Sequence, residues 1–530
     1  MMAERGAVHK VIGIFLALAA VTMAEPDCSD CHRAIAESYA KTGMGRSFRA
    51  AKELPHFTEA GIDLFRPRER DGRYTVERAA TADVPSREVS VDYVIGSGDH
   101  AFTYLHRTRD NKLIELPVSW YSEKGGHWGM SPGYDRAAHP GFSRPASYRC
   151  MFCHNAYPAI PSGYSEVDGA SVFPAELPQG IDCQRCHGSG VAHAEAVRLG
   201  KPLADIRGAV VNPARLSPER QLDVCMQCHL ETTSADLPGS ILKFDRRVFS
   251  YRPGEPLGDY VQYFDHAPNT GHDDKLEIAS EAYRLRQSVC FLKSQGRMTC
   301  TTCHHPHQAA AADPNAACGQ CHQPHGAEGT CVGCHMPKRQ ASDAIHIAVT
   351  DHKIARVPAP QITLIEQNEA NTPPYTGPVV AYYPKPADPL YLAAANKKVV
   401  KSAFPEAYFR AGFFDEALKL DPLNWRYVYG VGQARMDTAM LERAAALAPW
   451  ETNILEALGA AYVVNKRIPD AMRVFREATE RDPEDAAAFS NLGNALLQAG
   501  DKTGAEKAFR EAIRLLPEIP QLRDNLRRVQ

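Results

Sequence analysis

The clearest pattern of apolar and polar positions lies at the C-terminal end of the chain, where it repeats every 34 residues. Seven positions define the repeat, and six of them carry the same residue in both copies. The exception is Tyr462, which is replaced by Leu496 in the second copy. The positions are Leu458, Gly459, Tyr462, Ala471, Phe475, Ala478 and Pro483, then Leu492, Gly493, Leu496, Ala505, Phe509, Ala512 and Pro517. The pattern predicts two helical hairpins, over 452–485 and 486–519, with small residues where helices approach closely.

The period and these residue types are typical of the tetratricopeptide repeat (TPR). Degenerate copies upstream, at Phe414–Pro422 and Leu441–Pro449, and a capping helix at Gln521–Gln530 extend the predicted α-helical TPR solenoid to 391–530. Such a solenoid offers a concave surface to a partner, here a redox partner protein. The alternative is a solenoid that only stabilises or oligomerises the chain.

A second pattern has the period of a β-strand. Val89, Val91, Tyr93 and Ile95 alternate with other residues, and turn-like segments follow. This alternation predicts a small antiparallel β insertion over about 72–130. We expect its residues to serve packing.

The segment 357–390 is rich in proline and has few helical or strand patterns. Proline fixes one backbone dihedral and removes a hydrogen-bond donor, so such a segment does not continue a helix. We expect either a linker or a strap that lies over the preceding domain.

The N-terminus has the pattern of a secretory signal. Arg5 and Lys10 precede the eleven-residue apolar run Val11–Val21, and a cleavage site follows at Ala24. A spanning helix needs about 20 apolar residues, so this run is too short to cross a bilayer comfortably. We therefore expect residues 1–24 to be removed and the mature chain to be exported to the periplasm without a transmembrane anchor. Association with an outer-membrane or extracellular complex stays open.

Composition narrows the function classes. The chain has 530 residues, which suggests two to four domains, and its net charge of −3 gives no sign of a nucleic-acid partner. It also contains 15 cysteines and 21 histidines. How these are spaced decides the candidate chemistry.

Fourteen of the cysteines form seven Cys-x-x-Cys-His units, the attachment signal of c-type haem. On a helical turn, residues i, i+3 and i+4 share a face, so two thiols can bond the vinyl groups of one porphyrin while the imidazole ligates the iron. The thiols are Cys28 and Cys31, Cys150 and Cys153, Cys183 and Cys186, Cys225 and Cys228, Cys300 and Cys303, Cys318 and Cys321, and Cys331 and Cys334. The predicted proximal ligands are His32, His154, His187, His229, His304, His322 and His335.

Seven such units in an exported chain favour covalent haem iron over zinc sites, dithiol redox motifs and disulfides. We therefore predict a heptahaem cytochrome c domain over 25–356. The fold class expected for the whole chain is mainly α, with a loop-rich haem domain, the β insertion and the TPR solenoid.

Each low-spin haem also needs a distal ligand, and thirteen histidines remain outside the units and the signal. Six of them are candidates by position, because they follow a glycine-bearing link, follow a proline that breaks a helix, or come soon after the last unit. These are His100, His193, His307, His325, His346 and His352.

The block from Ser288 to His307, with Cys334-His335-Met336-Pro337 and the segment Thr350–Ile354, resembles multihaem c-type cytochromes of the nitrifier tetrahaem (cytochrome c-554-like) type. Some members of that family carry C-terminal TPR repeats. The resemblance implies periplasmic electron transfer through closely packed, mostly bis-histidine haems. It also implies that His193, His307 and His352 are distal ligands. This chain differs in having seven units and the β insertion.

The expected function is an electron relay through seven haems, with the TPR domain docking a partner. The alternative is an oxidoreductase that acts on a small nitrogen or sulfur compound at one haem with an open distal site. No Cys-x-x-Cys-Lys unit is present, and we assign no catalytic residue. The unpaired Cys290 is either a buried structural thiol, which we favour, or a group for intermolecular pairing or reaction.

Overall fold

The computed structural model describes residues 25–54, 56, 57, 62, 64–82, 84–161, 171–233, 237, 239–308, 313–323, 330–356, 375–398 and 401–530. The expected signal, residues 1–24, lies outside these ranges.

The first part of the described chain is mostly β-structure. Helix α1 (Ser29–Tyr39) is followed by β1 (Phe48–Ala50), β2 (Phe65–Arg70), β3 (Arg73–Arg78), β4 (Arg87–Ser90), β5 (Tyr93–Ile95), β6 (Ala101–Arg107), β7 (Leu113–Tyr121), β8 (His127–Met130) and β9 (Arg144–Pro145). One antiparallel sheet has the order β1-β5-β6-β7-β8, with β9 pairing β7, and a second has the order β2-β3-β4. Their apolar core includes Val76, Val94 and Leu116, all fully buried.

The expected antiparallel β insertion is present, but the β-structure extends beyond residues 72–130, so this part of the chain is not mainly α. Strands begin at Phe48, well before the predicted start of the insertion near residue 72. The hairpin between β2 and β3 turns at Asp71 and Gly72, which both have positive φ, of 53° and 72°. Asp-Gly is a strong signal for such a tight turn, because both central residues of a type I′ turn need positive φ.

The middle of the chain is built from short helices joined by long irregular segments. Its elements are α2 (Tyr148–His154), α3 (Gln184–His187), α4 (Val191–Arg198), α5 (Leu203–Gly208), α6 (Pro218–His229), β10 (Ser240–Leu242), β11 (Val261–His266), α7 (Glu281–Leu285), α8 (Val289–Lys293), α9 (Pro314–Gly319), α10 (Cys331–His335), β12 (Lys338–Gln340) and β13 (Ala348–Thr350). Short 3-10 turns cover Glu123–Gly125, Pro213–Arg215, Leu257–Asp259 and Cys300–Thr302.

Part of the proline-rich segment pairs with this region. Strand β14 (Val379–Tyr383) lies antiparallel to β11, in a sheet of order β10-β11-β14. Residues 357–374 of the predicted linker or strap lie outside the described residues.

The C-terminal part is helical. It comprises α11 (Pro389–Ala395), α12 (Pro405–Arg410), α13 (Phe414–Leu420), α14 (Trp425–Arg435), α15 (Thr438–Leu447), α16 (Thr452–Val464), α17 (Ile468–Arg481), α18 (Ala486–Gln498), α19 (Lys502–Leu515) and α20 (Pro520–Arg527). A Cβ atom on Gly459 would lie 2.4 Å from the ring of Phe475, and one on Gly493 would lie 2.6 Å from that of Phe509. Glycine is thus needed where the two helices of each hairpin approach.

The last repeats contact the β2-β3-β4 sheet directly. The guanidinium of Arg87 donates to the Leu515 carbonyl at 3.0 Å and pairs with Glu484 at 2.7 Å, and Arg78 donates to the Arg514 carbonyl at 3.0 Å. Carbonyls at the end of a helix have no partner within the helix. The two arginines therefore cap the end of α19 and attach the solenoid to the sheet.

Candidate functional site

Each Cys-x-x-Cys-His unit spans about one turn of helix, either in a short helix such as α3 or α10 or at one end of a longer helix such as α1 or α6. The backbone N–H of His32 donates to the Cys28 carbonyl at 2.9 Å, and the same bond recurs in the units of His187, His304 and His322 at 2.9, 2.9 and 3.0 Å. An i to i+4 bond places the first cysteine and the histidine on one face of the turn. The sequence therefore forms the local geometry that covalent haem attachment requires.

The structure brings three of the candidate distal histidines to proximal ones. The ring centroids of His32 and His193 are 6.2 Å apart, those of His187 and His307 are 5.9 Å apart, and those of His304 and His352 are 6.1 Å apart. The ring planes are inclined by 24°, 12° and 30° respectively. In each pair a histidine of a unit faces a histidine from elsewhere in the chain.

Backbone carbonyls orient several of these imidazoles. Nδ1 lies 2.8 Å from the Val211 oxygen in His187, 2.8 Å from the Ile206 oxygen in His193 and 3.0 Å from the Thr350 oxygen in His352. A carbonyl oxygen can only accept, so Nδ1 must carry the proton. The lone pair is then on Nε2, the atom free to ligate a metal.

The remaining distal candidates lie elsewhere. His346 Nε2 is 3.0 Å from a carboxylate oxygen of Asp135, and His100 Nδ1 is 3.4 Å from one of Glu123. His325 lies outside the described residues. Among the residues that the structure describes, no comparable ring pair includes His154, His229 or His322.

Thiols of different units are close neighbours. Cys28 of the first unit interacts with Cys183 of the third, Cys153 of the second with Cys228 of the fourth, Cys225 of the fourth with Cys300 of the fifth, and Cys318 of the sixth with Cys331 of the seventh. Cys186 of the third unit and Cys228, like Cys303 of the fifth unit and Cys318, are near enough to interact electrostatically. The seven units thus form one connected array.

Cys290 lies beside this array on α8. Its thiol is half-buried and neighbours Cys303 and Cys318. The adjacent Phe291 packs against an apolar cluster, while Leu292 is 63% exposed. All fifteen cysteines lie in the described residues, and none is in a disulfide.

In the second, third and fourth units, residues between the two cysteines connect one unit to another, and the sequence analysis did not predict these contacts. Arg185 of the third unit is 1% exposed and donates to the Phe152 carbonyl, inside the second unit, at 2.8 Å. Its guanidinium lies 4.3 Å from the centroid of the Phe152 ring. Gln227, inside the fourth unit, donates to the Arg185 carbonyl at 3.1 Å. The buried Arg185 cation therefore joins the third unit to the second, and the backbone of Arg185 joins the third unit to the fourth.

A second buried arginine fixes the segment that carries His352. Arg284 of α7 makes two bonds to Asp351, at 2.9 and 2.7 Å, and Arg339 makes another at 2.8 Å. Burial on its own raises the pKa of the Asp351 carboxyl, but the hydrogen bonds outweigh it and lower the pKa to about 2. Asp351 is therefore ionised, and its neighbour His352 is held in a fixed position.

These residues fit a c-type haem. The porphyrin supplies four ligands to its iron, so the protein has to supply two thiols for attachment and up to two axial nitrogens. Metal–nitrogen bonds of about 2 Å, plus about 1 Å from each nitrogen to its ring centre, separate two opposed imidazoles by about 6 Å. The three ring pairs have this separation. In the described part of the chain, no group of three or more His, Cys, Asp and Glu side chains is arranged to hold a bare metal ion.

Two known families or proteins each resemble a part of this chain. The model of the family described as "Tetratricopeptide repeat" matches residues 456–519. The multiheme cytochrome MtrA of Shewanella baltica (strain OS185) is 22% identical over 228 residues, which is 40% of this chain. The chain spans 59% of the length of that relative. The likeness to a multihaem cytochrome is thus partial, and it does not single out the nitrifier tetrahaem type.

Solved structures also match part of the chain. A crystal structure of MamA protein is 20% identical over 24% of this chain and 71% of its own, with a TM-score of 0.21. The structure described as "YrrB: a TPR protein with an unusual peptide-binding site" is 22% identical over 26% of this chain and 80% of its own, with a TM-score of 0.23. Among the described helices, none combines the length and apolar character needed to cross a bilayer.

Proposed function

We propose that the chain is an exported multihaem c-type cytochrome that relays electrons, with each of the seven units holding one covalently attached haem. When bound, each haem supplies an iron centre that takes up and releases one electron. The protein's part is to fix the axial imidazoles, set their hydrogen bonds and hold neighbouring sites close. We further propose that residues 1–24 direct export to the periplasm.

The pairing of imidazoles is the observation that carries this proposal. His193, His307 and His352 come from outside the units, yet each faces a unit histidine with ring centroids about 6 Å apart. In each pair one ring also directs its Nδ1 to a backbone carbonyl, which leaves its Nε2 directed away from that carbonyl and available to a metal. We propose that the three pairs are the axial ligands of the first, third and fifth haems.

The neighbouring thiols support a relay rather than isolated sites. Interacting thiols link the first unit to the third, the third to the fourth, the fourth to the fifth, the fifth to the sixth and the sixth to the seventh, and the links from the third to the fourth and from the fifth to the sixth are electrostatic only. The second unit joins this path at the fourth. Haems attached at adjacent thiols are held close, and electron transfer between cofactors requires closeness.

The TPR region is proposed to dock a redox partner protein, because such repeats mediate protein–protein interactions. A cavity of about 450 Å³ opens between its helices, lined by residues that include Trp425, Tyr429, Asn453, Glu456 and Ala460. The last repeats are attached to the β2-β3-β4 sheet through Arg78 and Arg87. A partner in the cavity would therefore be held in a fixed orientation to the haem domain.

Low-temperature electron paramagnetic resonance of the oxidised holoprotein, with its haem quantified, tests the relay. We expect low-spin signals from bis-imidazole iron for at least three haems. Loss of one such signal in His193→Ala, His307→Ala and His352→Ala, each with the haem content unchanged, would identify the axial ligands. His305→Ala is a matched control, because His305 is exposed and adjoins a unit.

Two results would overturn the proposal. A mature protein without covalent haem would remove its basis. A high-spin ferric signal that shifts with nitrite or hydroxylamine would instead support the oxidoreductase alternative.

A further inference from the structure

The unit histidines differ in the group that accepts a hydrogen bond from Nδ1. Nδ1 of His187 and of His335 lies 2.8 Å from a backbone carbonyl, that of Val211 and of Ala355 respectively. Nδ1 of His229, in the fourth unit, instead lies 3.1 Å from Oε2 of Glu281. A carbonyl is a neutral acceptor, whereas a carboxylate carries a full negative charge.

Glu281 is held in place by its helix. It is the first residue of α7, and Arg284 in the same helix is only 1% exposed. Arg284 binds both carboxylate oxygens of Asp351, at 2.9 and 2.7 Å, and also Asp274 at 2.9 Å. These bonds fix the backbone of α7 and so place Glu281 beside His229, where the two side chains are 33% and 44% exposed.

A carboxylate that accepts the second N–H of a metal-bound imidazole raises the basicity of that ligand. A more basic axial ligand stabilises the oxidised metal more than the reduced one. We propose that Glu281 is a positioning residue that strengthens electron donation by His229 and so lowers the reduction potential of the fourth site. This inference rests on the proposed function, because it requires a haem attached to the fourth unit.

The place of the fourth unit in the array gives Glu281 a functional consequence. Cys228 neighbours thiols of the second and third units, and Cys225 neighbours that of the fifth. The fourth site is therefore one link between the N-terminal and the C-terminal units, beside the link that His307, three residues after the fifth unit, makes with His187 of the third. A low potential there makes electron transfer through the fourth site an uphill step, so Glu281 would slow the route that passes through this site.

The test is a spectroelectrochemical titration of the whole holoprotein. In Glu281→Gln we expect the potential of one haem to rise. Its oxidised-to-reduced ratio at a fixed potential should fall by about tenfold, which is 59 mV for a one-electron couple. Glu281→Asp, which keeps the charge, should lie closer to the wild type. Glu219→Gln is the matched control, because it removes the same charge from an exposed position on α6, the helix that ends at His229.

Unchanged potentials in Glu281→Gln with a full haem content would overturn the inference and leave the proposed function standing. A wild-type protein without haem would instead overturn the proposed function. If Glu281→Gln does not fold, near-infrared magnetic circular dichroism of the wild type tests instead whether one haem has a more strongly donating axial ligand than the others. We expect one site whose charge-transfer band is displaced from that of neutral bis-imidazole sites, and seven alike sites would contradict the inference.

Discussion

The TPR region and the region of the Cys-x-x-Cys-His units are both built from helices, but the two regions hold those helices in different ways. Helices α16, α17, α18 and α19 bury seven, five, seven and six residues. Helices α1, α8 and α10, which carry or adjoin the units, bury none. Apolar contact between neighbouring helices stabilises the first region, and in the second region these three helices lack buried residues.

This difference shows what each region depends on. A TPR hairpin packs its own side chains against the next hairpin, so its stability is set by its residues. The units are joined by buried polar contacts such as those of Arg185 and by apolar clusters such as that of Leu222, Met226 and Leu230, and under the proposed function haem adds to this core. Cofactor binding is then part of the folding free energy of that region alone.

Withholding haem should have the largest effect and should separate the two regions. We expect the whole chain, produced without haem attachment, to lose ordered structure across 148–356 and to keep it across 405–530. Limited proteolysis with mass spectrometry of the fragments measures this. Equal protection of both regions without haem would show that the units fold on their own contacts.

Truncating a core aromatic should affect only the TPR region. Phe475 is 2% exposed and fills the space beside Gly459. Phe475→Ala should lower the free energy of unfolding of this region by about 3–5 kcal/mol. Chemical denaturation followed by tryptophan fluorescence measures the change, and the Soret absorption should stay constant. Val464→Ala, at a position 62% exposed, is the control and should have little effect.

A smaller loss of stability is expected when the contact between the β2-β3-β4 sheet and α19 is weakened. Arg87→Met removes charged hydrogen bonds to the Leu515 carbonyl and to Glu484, and should cost about 2 kcal/mol. The two regions should then unfold in more separate transitions in differential scanning calorimetry. Arg73→Met, at an exposed position in the same sheet, should leave the thermogram unchanged.

The smallest effect on stability is expected when pH removes the charge of His106, which lies at the same contact between the two regions. Burial lowers the pKa of His106, but Asp92 at 3.0 Å and Glu484 at 3.6 Å outweigh it and raise the pKa to about 9. Because the pKa of His106 is higher in the folded than in the unfolded chain, its charge stabilises the folded state fully below pH 6.5, the usual pKa of histidine. That contribution is lost as the pH rises through about 9. The difference in melting temperature between wild type and His106→Gln should therefore shrink between pH 7 and 10. A difference that stays constant would contradict a charged His106.

The two regions also differ in how much the sequence could predict. The helices of the TPR region follow from a 34-residue period, because each hairpin contacts mainly its neighbours in the chain. The units are recognisable from five-residue spacing. The pairing of β14 with β11 and the contact of Glu281 with His229, 52 residues apart, are long-range contacts that leave no local periodic signal. The sequence analysis did not predict β2, although the Asp71-Gly72 turn that joins it to β3 is a recognisable hairpin signal.

Intact mass spectrometry of the mature protein tests the central claim most directly. The account predicts the mass of a chain that begins after Ala24 and carries seven covalently attached haems. Cys28→Ser/Cys31→Ser should lower that number to six. A mature chain with no added haem, or with fewer than seven although all units are intact, would contradict the account.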